Sequence, residues 1–463
     1  MRAASSAVGE SGRQMNYQEA LDFLTGLTKF GINFGLERIE HLMSLLGNPE
    51  RALKVIHVGG TNGKGSTAVM VSRVLEAAGF RVGLFSSPHL HSYTERYLIN
   101  HRPISQERFA GLMERLKPLL ERMVAEGREH PTEFEVCTAL ALLYFFEEKV
   151  DYVVLEVGLG GVIDSTNVVP NPLVSVITNV AFDHMDYLGN TITAIAEKKA
   201  GIIKEKGYVV TAAWYPEALA VIEERCREMG ATLLRVGKEI TWELRESTPE
   251  ATLFDLRSPW GFYQNLKVPL AGQYQAVNAA TALGVVELLR YRHGVRIGDD
   301  HLRQGLARSR WPARLEMISR APQVIVDVTH NHDGSRMLKN ALRNIYRYRR
   351  LILVMGMLGD KEREKVVAEL APLASVVIIT KPLNPRAGDW EKLADEAKRY
   401  VEQVFVIEKI AEAVDAALKE ASTEDLVCVT GSFYMVADAR AYLLERYFSE
   451  QQLALEKCGG RRE

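Results

Sequence analysis

Short apolar runs rich in Val, Ile and Leu alternate with longer amphipathic stretches along most of this chain. In the first half, such runs lie at residues 53–60, 81–87, 151–158 and 173–180. A second series occupies residues 323–328, 351–356, 375–380, 403–408 and 425–431. Neighbouring parallel strands need a crossover between them, and the crossover is usually a helix. The alternation therefore predicts an α/β fold with mostly parallel sheets.

The two series are separated near the sequence RSRWPAR, at about residues 308–312. We predict a mostly parallel, P-loop-type domain over residues 15–308 and a smaller Rossmann-like α/β domain over residues 309–455. The pattern is mixed between residues 208 and 270, and we expect a β-rich insertion around TLFDLRSPWGFYQNLKVPL (252–270). The remaining residues, 1–14 and 456–463, are predicted to be tails, the first of them flexible.

The composition argues against several classes of function. The 463 residues carry a net charge of −2 and no basic block, so a nucleic-acid partner is not expected. No apolar run reaches the roughly 18 residues of a membrane span, and the N-terminus lacks the apolar core of a secretory signal. The four cysteines form no CxxC pair, which argues against a zinc ribbon and a disulfide framework. We therefore expect a cytoplasmic protein with no membrane partner.

The stretch GGTNGKGST (59–67) joins an apolar run to a helical one. Glycines let backbone N–H groups point inward, the helix start adds a positive dipole end, and Lys64 adds a full charge. The stretch departs from the common G-x-x-x-x-G-K-[ST] pattern, because its spacing is one residue short and Gly65 follows the lysine. We interpret it as a nucleotide phosphate-binding loop in which Ser66 or Thr67 could hold Mg²⁺. The alternative is a glycine-rich turn with a helix cap at Ser66.

Polar side chains follow several of the predicted strands, at the edge where open α/β sheets place their ligands. Glu156 lies inside the run YVVLEVG, and an unpaired buried glutamate costs several kcal/mol, so it needs a cation or a hydrogen-bond partner. Mg²⁺ is one such cation, and a core salt bridge is the alternative. His184 could bind a second divalent ion, oriented by Asp183 or Asp186, although a lone histidine is more often structural. Ser87 could supply a further oxygen ligand.

Lys199 falls on the apolar stripe of a predicted helix in TITAIAEKKAGIIK, together with Ile192, Ile195, Ala196 and Ile203. Lys198 points elsewhere, about 100° further round the helix. An inward lysine is desolvated, which lowers its pKa and leaves a neutral amine that CO₂ can carbamylate. From spacing alone, a snorkelling or ion-paired lysine is the more common arrangement.

Together, these motifs resemble those of the folylpolyglutamate synthase/dihydrofolate synthase branch of the Mur ligase superfamily. The matching stretches follow the family's order from about Gly31 to Ala437: GTNGKGST, SSPHLHSYTERYLIN, TEFEVCTALALLYF, LEVGLGGVIDSTNV, DHMDYLG, EKKAGIIK, GQYQAVNAATAL, WPARLEMI, DVTHNHDG, GMLGDKE and TGSFYMVAD. Several are weak alone, but their order along nearly the whole chain is specific.

The resemblance implies a set of site residues. ATP would contact Gly60, Thr61, Asn62, Gly63, Lys64, Gly65, Ser66, Thr67, Asn278, Arg314 and Asp327. The ligands of two Mg²⁺ ions would be Ser66, Ser87, Glu156, His184 and Lys199, the last of them carbamylated. The pterin of a folate would be lined by Ile32, Asn33, Phe34, Thr132, Glu133, Phe134, Glu135, Ile163, Asp164 and Ser165.

The resemblance also implies an activity, namely an ATP-dependent carboxylate–amine ligase that adds L-glutamate to dihydropteroate, to tetrahydrofolate or to both. The substrate carboxylate would be activated as an acyl phosphate, and the catalytic residues would be Lys64, Lys199, His184 and His330. The implied cofactors are ATP, as a substrate, and two Mg²⁺ ions, and a monovalent-cation requirement is left open. A monomer is expected.

Two positions depart from the family's pattern. His332 stands in DVTHNHDG where a proline is usual, which puts the stiffness of that loop in doubt. Val162 stands in GGVID where an arginine or an acidic residue is common, which affects the surroundings of the pterin. The rival functions are a Mur-type ligase acting on a peptidoglycan precursor and an ATPase without ligation. The first should carry a further N-terminal domain before the glycine loop, and the short segment there argues against it.

Overall fold

A computed structural model describes residues 14–31 and 33–459 of the protein, with side chains up to Tyr447. It contains an eight-stranded sheet, a small three-stranded sheet and a six-stranded sheet. The two large sheets are mostly parallel, which confirms the predicted α/β class. Ile32, residues 1–13 and residues 460–463 lie outside the described residues.

The first large sheet contains the glycine loop. Its strands in chain order are β1 Val55–Gly59, β2 Val82–Phe85, β3 Tyr97–Ile99, β4 Arg102–Pro103, β5 Tyr152–Glu156, β6 Val174–Ile177, β7 Tyr208–Thr211 and β8 Thr232–Arg235. They are arranged in the order β4-β3-β2-β5-β1-β6-β7-β8. The six strands from β2 to β8 in this order are parallel, and β3 and β4 form an antiparallel edge.

The helices of this part are α1 Tyr17–Gly26, α2 Glu37–Leu45, α3 Lys64–Ala77, α4 Gln106–Ala125, α5 Glu133–Glu147, α6 Met185–Leu188, α7 Ile192–Ala200, α8 Pro216–Glu228, α9 Tyr274–His293 and α10 Asp299–Arg308. Because side chains alternate along a strand, Val55 of β1 packs with α1, α2, α4 and α5, whereas Ile56 packs with α3, α9 and α10. The central strands are therefore buried on both faces, as their continuous apolar sequence requires.

The predicted β-rich insertion is a three-stranded antiparallel sheet that begins before the predicted stretch, at Thr241. It consists of β9 Thr241–Ser247, β10 Thr252–Ser258 and β11 Gly261–Val268. Its apolar face packs on α9 and α10 and joins the core on the α3 side of the first sheet. The segment before it, from Tyr208 to Arg235, instead completes the parallel sheet with β7, α8 and β8.

The second large sheet contains β12 Glu316–Arg320, β13 Gln323–Asp327, β14 Leu351–Met355, β15 Val376–Ile379, β16 Gln403–Val406 and β17 Leu426–Thr430. Their order is β12-β13-β17-β14-β15-β16, and only β12 runs antiparallel to its neighbour. The surrounding helices are α11 His332–Asn344, α12 Arg363–Leu370, α13 Lys392–Ala397, α14 Ile410–Glu420 and α15 Phe433–Gly459. The last helix continues beyond residue 455, the predicted end of the domain.

The fold brings the carboxyl ends of both parallel sheets to one crevice. The glycine loop follows β1, Glu156 ends β5, and Asp327 ends β13 of the second sheet. This is the edge at which open α/β sheets bind their ligands. Between residues 14 and 459, excluding Ile32, no helix combines the length and the apolar character needed to cross a membrane.

Candidate active site

The glycine loop wraps tightly around the end of β1. Gly60 has a φ of +134° and lies so close to the Thr178 hydroxyl that a Cβ at this position would collide with it. The backbone N–H of Thr61 donates to the Asn179 carbonyl at 2.9 Å, which anchors the loop to the end of β6. Helix α3 then begins at Lys64. The N–H groups of its first turn have no intrahelical acceptors, so they are free to bind an anion.

Lys64 folds back over the loop. Its Nζ donates to the carbonyls of Gly60 at 3.3 Å and Thr61 at 3.1 Å. A carbonyl is a weak partner for an ammonium group, so an anion at the start of α3 would be a stronger one. The structure therefore supports the prediction of a phosphate-binding loop.

Glu156 lies buried beside this loop, with 5% of its surface exposed. Burial raises its pKa to about 7, although the charges of Lys64 and Arg314 oppose the rise. Its direct contact is with the backbone N–H of Ser87, which donates to Oε2 at 3.4 Å. The predicted alternative, a core salt bridge, is not present among the described residues, where Glu156 has no cation within ion-pair distance.

The surroundings of Glu156 fit Mg²⁺. In the first turns of α3, which follows the glycine loop, the Thr67 hydroxyl is buried without a hydrogen-bond partner among the described residues, and Ser66 is also buried. In the part of the chain that the structure describes, no cluster of three His, Cys, Asp or Glu side chains could hold a metal on its own. A single carboxylate with hydroxyl oxygens suits Mg²⁺, which keeps several waters and shares its ligands with phosphates.

Lys199 faces inward, as its position on the apolar stripe of α7 predicts. It is 4% exposed, and its Nζ donates to the Gly60 carbonyl at 2.9 Å. Burial, with the charge of Lys64 as a second cause, lowers its pKa to about 7. Neither a snorkelling nor an ion-paired arrangement is found for it among the described residues. A substantial neutral fraction of this amine therefore exists near neutral pH.

His184 precedes α6 in a left-handed conformation, with a φ of +50°. Burial lowers its pKa to about 4, although Asp183 opposes the fall, so the imidazole is neutral at pH 7 and able to bind a metal. Asp183 Oδ1 lies 3.9 Å from His184 Nε2, too far for a hydrogen bond that would orient the ring.

Asp183 instead joins the two sheet-containing parts of the molecule. Its Oδ1 accepts from Lys361 Nζ at 2.6 Å, and its Oδ2 accepts from Asn331 Nδ2 at 3.0 Å. His330 Nε2 lies 3.4 Å from the same Oδ2. Burial alone would raise the pKa of Asp183, but the hydrogen bond and charge of His330 and the charge of Lys361 hold it well below its ordinary value.

A second set of hydrogen bonds crosses the crevice beside the glycine loop. Asp333 Oδ2 accepts from Asn62 Nδ2 at 3.0 Å and from Asn179 Nδ2 at 3.2 Å. Asn331 Nδ2 also donates to Asn62 Oδ1 at 3.0 Å. The start of α11 is therefore held against the glycine loop.

The predicted nucleotide contacts outside the loop also reach the crevice. Asn278 of α9 packs against Gly63. The Arg314 guanidinium lies 5.2 Å from the centre of the Phe433 ring, a cation–π distance. Asp327 accepts from two backbone N–H groups, those of Leu315 at 2.9 Å and Thr329 at 2.9 Å.

The segments predicted to line the pterin meet at the start of α5. Thr132 caps this helix by accepting from the Glu135 N–H at 3.3 Å, and the Glu135 carboxylate accepts from the Thr132 N–H at 2.7 Å. Arg38 of α2, which the sequence analysis did not single out, donates to Glu135 Oε2 at 3.1 Å and to the Asn33 carbonyl at 2.7 Å. It therefore ties the segment before α2 to α5. A charged residue among the buried positions of α2 was the only signal for it.

The remaining predicted pterin residues lie around the loop that follows β5. Phe134 packs on Gly158, and Asp164 Oδ2 accepts from the Leu159 N–H at 2.7 Å. The hydroxyls of Ser165 and Thr138 are 2.7 Å apart. The other predicted members placed near this loop are Glu133, whose carboxylate accepts from the Tyr93 hydroxyl, and Ile163.

Phe34 extends these contacts toward His184. Its ring centre lies 5.8 Å from that of Tyr187, and both rings are 41% exposed. Tyr187 is one turn beyond His184, and its N–H donates to the His184 carbonyl at 3.0 Å. The predicted pterin segment and the predicted metal ligand are therefore neighbours.

Both departures from the family's pattern are accommodated. His332 is the first residue of α11, and Asn331 still caps the helix, its side chain accepting from the Gly334 N–H at 2.8 Å. His332 Nε2 lies 3.2 Å from Glu369 Oε1, which adds a contact that proline cannot make. Val162 packs against Gly201 at the end of α7 and is 39% exposed.

Comparison with known proteins identifies the family. A family model for the Mur ligase middle domain matches residues 58–286, and one for the Mur ligase glutamate ligase domain matches residues 313–433. The dihydrofolate synthase/folylpolyglutamate synthase of Bacillus subtilis is 37% identical over 432 residues, which cover 92% of this chain and 99% of that protein. The chain belongs to the folylpolyglutamate synthase/dihydrofolate synthase family.

Solved structures of this family have the same fold. Folylpolyglutamate synthase of Mycobacterium tuberculosis complexed with ADP superimposes with a TM-score of 0.86 at 32% identity, over 92% of this chain and 99% of that one. Escherichia coli FolC in complex with DHPP and ADP gives a TM-score of 0.83 at 31% identity, over 92% of this chain and 98% of that one. These likenesses confirm the arrangement of an N-terminal parallel sheet and a C-terminal sheet.

Replacing Lys361 by Met should weaken the junction between the two sheets. Lys361 and Asp183 are less than 10% exposed, so the substitution leaves a buried carboxylate without its cation. We expect a loss of about 3–5 kcal/mol in the free energy of unfolding. Urea denaturation would measure it.

Lys365→Met is the matched control, since Lys365 pairs with Glu362 at the surface and is 58% exposed. Its loss should cost less than about 1 kcal/mol. Equal effects of the two substitutions would show that the Asp183–Lys361 pair does not hold the junction.

Replacing Lys199 by Met should change the pH dependence of stability. Between pH about 7 and 10.5, the unfolded chain binds a proton on Lys199 that the folded chain does not, so wild-type stability rises with pH over this range. The variant lacks this contribution. We expect the stability of the variant, compared with that of the wild type, to be greatest near pH 6 and to be lower near pH 9.

Urea denaturation in CO₂-free buffer at the two pH values would test this, since CO₂ would consume the neutral amine. Lys198→Met is the control, because Lys198 lies on the exposed side of the same helix. A pH-independent difference between Lys199→Met and the wild type would contradict the lowered pKa.

Proposed function

We propose that the protein is an ATP-dependent carboxylate–amine ligase that adds L-glutamate to dihydropteroate, to tetrahydrofolate or to both, through an acyl phosphate. The observation that carries the proposal is the amine of Lys199, 2.9 Å from the Gly60 carbonyl of a phosphate-binding loop. A nucleotide hydrolase needs no buried amine at this place. A ligase that uses a carbamylated lysine needs one, because the carbamate forms on the neutral amine. The family relationship supports the same activity.

Forming an amide from a carboxylate is difficult because the carboxylate is a poor electrophile. In the proposed reaction, the substrate carboxylate attacks the γ-phosphorus of ATP and ADP leaves. The free N–H groups of α3 and the ammonium of Lys64 neutralise the charge that develops on the phosphate oxygens. The amine of L-glutamate then attacks the acyl phosphate, loses a proton and expels inorganic phosphate.

The residues present fit two Mg²⁺ ions. Ser66, Ser87 and Glu156 would hold one, and His184 with carbamylated Lys199 would hold the other. When bound, the ions neutralise phosphate charge during transfer. The neutral amine of Lys199 would add CO₂ and release a proton, which gives an anionic carbamate in place of the uncharged amine. Depressing the pKa of this lysine therefore favours the modification.

The second sheet would complete the site. Lys361, His330 and Asn331 approach Asp183 from that side, and their hydrogen bonds close the crevice over the loop. Closure excludes water, which would otherwise hydrolyse an acyl phosphate. We assign His330 to the positioning of glutamate or phosphate, and Asn278, Arg314 and Asp327 to the nucleotide.

The residues that we assign to the pterin site support a pteridine substrate. The E. coli relative is in complex with DHPP and ADP, which supports a pteridine substrate beside the nucleotide. The segments at residues 33–34, 132–135 and 163–165 meet around the loop after β5, and we assign them to the pterin. Action in the cytoplasm and a monomeric state remain our predictions.

A test of the function is ADP release from purified protein supplied with MgATP. We expect release to need both L-glutamate and a folate, because the acyl phosphate forms only on the folate carboxylate and is resolved only by the amine. Dihydropteroate and tetrahydrofolate assayed side by side would show which is used. ADP release without either substrate would identify an ATPase instead.

The role of Lys199 can be tested by replacing it with Ala. We expect the loss of glutamate ligation to be at least about 100-fold, since an oriented anion is removed from the site. A short-chain carboxylate should restore part of the activity by occupying the vacated space. Lys198→Ala should ligate normally. Full activity of Lys199→Ala would exclude the carbamate.

A further inference from the structure

Gly65 occupies the position where a common P-loop has Ser or Thr, and the structure shows why no side chain fits there. A Cβ on Gly65 would lie 2.6 Å from Nε1 of Trp311, 3.1 Å from its Cε2 and 3.2 Å from its Cζ2. Carbon atoms in proteins do not approach heavy atoms as closely as the first of these distances. The indole of Trp311 therefore covers the first turn of α3.

Trp311 belongs to the segment that joins the two large sheets, between α10 and β12. The far end of this segment is held by the second sheet, since the Val328 N–H donates to the Ala313 carbonyl at 3.1 Å and Leu315 donates to Asp327. The near end is held by the indole, which packs against the core that contains α3 and α9. The joining segment thus contacts the phosphate-binding loop directly.

The indole N–H is a donor without a partner. Trp311 is half-buried, and among the described residues its Nε1 makes no hydrogen bond to another protein group. This N–H is therefore available to a ligand. The N–H groups at the start of α3 also lack acceptors, and Lys64 contributes its charge at the same place. These donors together are complementary to a phosphate group.

We propose that Trp311 is a nucleotide-binding residue, whose indole N–H donates to a phosphate oxygen of ATP on the glycine loop. This inference rests on the proposed function, because it takes ATP as the ligand of the loop. It also explains why residue 65 is a glycine, since any side chain there would keep the indole from reaching the phosphates. It also makes the segment between the sheets a ligand of the nucleotide, so that nucleotide binding stabilises its docked position.

The test is the binding of MgADP to Trp311→Phe, measured by isothermal titration calorimetry on the full chain. Phenylalanine keeps an aromatic ring but lacks the N–H. Loss of one hydrogen bond to a charged phosphate should weaken binding roughly 10-fold. The KM for ATP should rise while the KM for L-glutamate stays unchanged. Trp242→Phe, a 40% exposed tryptophan on β9, is the control and should bind as the wild type does.

A double-variant cycle tests the close contact itself. Gly65→Ala should weaken MgADP binding in the wild-type background, because the new methyl displaces the indole. In the Trp311→Ala background the same substitution should have a smaller effect, since the ring is gone. Equal effects of Gly65→Ala in both backgrounds would overturn the contact as the reason for glycine.

The two proposals fail separately. Unchanged MgADP affinity in Trp311→Phe would overturn the role of Trp311, whether or not the wild type ligates glutamate. If the wild type shows no folate- and glutamate-dependent ADP release but Trp311→Phe binds MgADP more weakly, the ligase function fails and the role of Trp311 stands. Calorimetric binding requires no ligation, so the first measurement can be made in either case.

Discussion

The carboxylate of Asp183 holds the two halves of the candidate site together. It faces Lys361 at 2.6 Å, and both side chains are almost excluded from solvent. In this buried setting, removing one partner destabilises the fold by more than the intact pair stabilises it, because the other charge would remain buried alone. The pair and its neighbours Asn331 and His330 therefore favour one arrangement of the sheets, in which the carboxyl ends of both face the glycine loop.

Around this junction, the protein keeps charges that are unfavourable for stability. Burial raises the pKa of Glu156 and lowers that of Lys199, which means that neither ionised form is well stabilised by the surrounding residues. Such perturbed groups in a crevice are characteristic of functional sites. As a metal ligand, Glu156 would gain a positive charge beside its carboxylate. As a carbamylated lysine, Lys199 would no longer carry a buried positive charge. The ligands would then stabilise the fold that binds them.

Much of the fold was predictable from local patterns. The nine predicted strand positions all contain strands, and in the central strands the continuous apolar run is buried on both faces of a parallel sheet. The strands β4 and β12 were missed because they lie at sheet edges and are largely or partly exposed, and β3 because it has only three residues. The strands β7 and β8 were not separated from the mixed pattern that begins near residue 208. The inward position of Lys199 was also predictable, because the period of a helix determines which residues share its buried face.

From local patterns, the candidate site was predictable only where its residues are neighbours in sequence or follow a strand, whereas Asn278 and Arg314 came from the family resemblance. Arg38, Lys361 and Trp311 were not identified, because each acts through a partner far away in the chain. Lys361 meets Asp183 across 178 positions of sequence. Periodicity reports which face of an element is buried, but it carries no information about which distant side chain lies opposite.

The sequence by itself thus determined the α/β class, the glycine loop between a strand and a helix, and the buried position of the lysine, since hydrophobic burial and backbone geometry act over a few residues. Only the tertiary structure decided that Asp183 pairs with Lys361, that Lys199 reaches the Gly60 carbonyl, and that an indole covers Gly65. These contacts depend on the packing of whole layers, which brings separate elements to within hydrogen-bond distance.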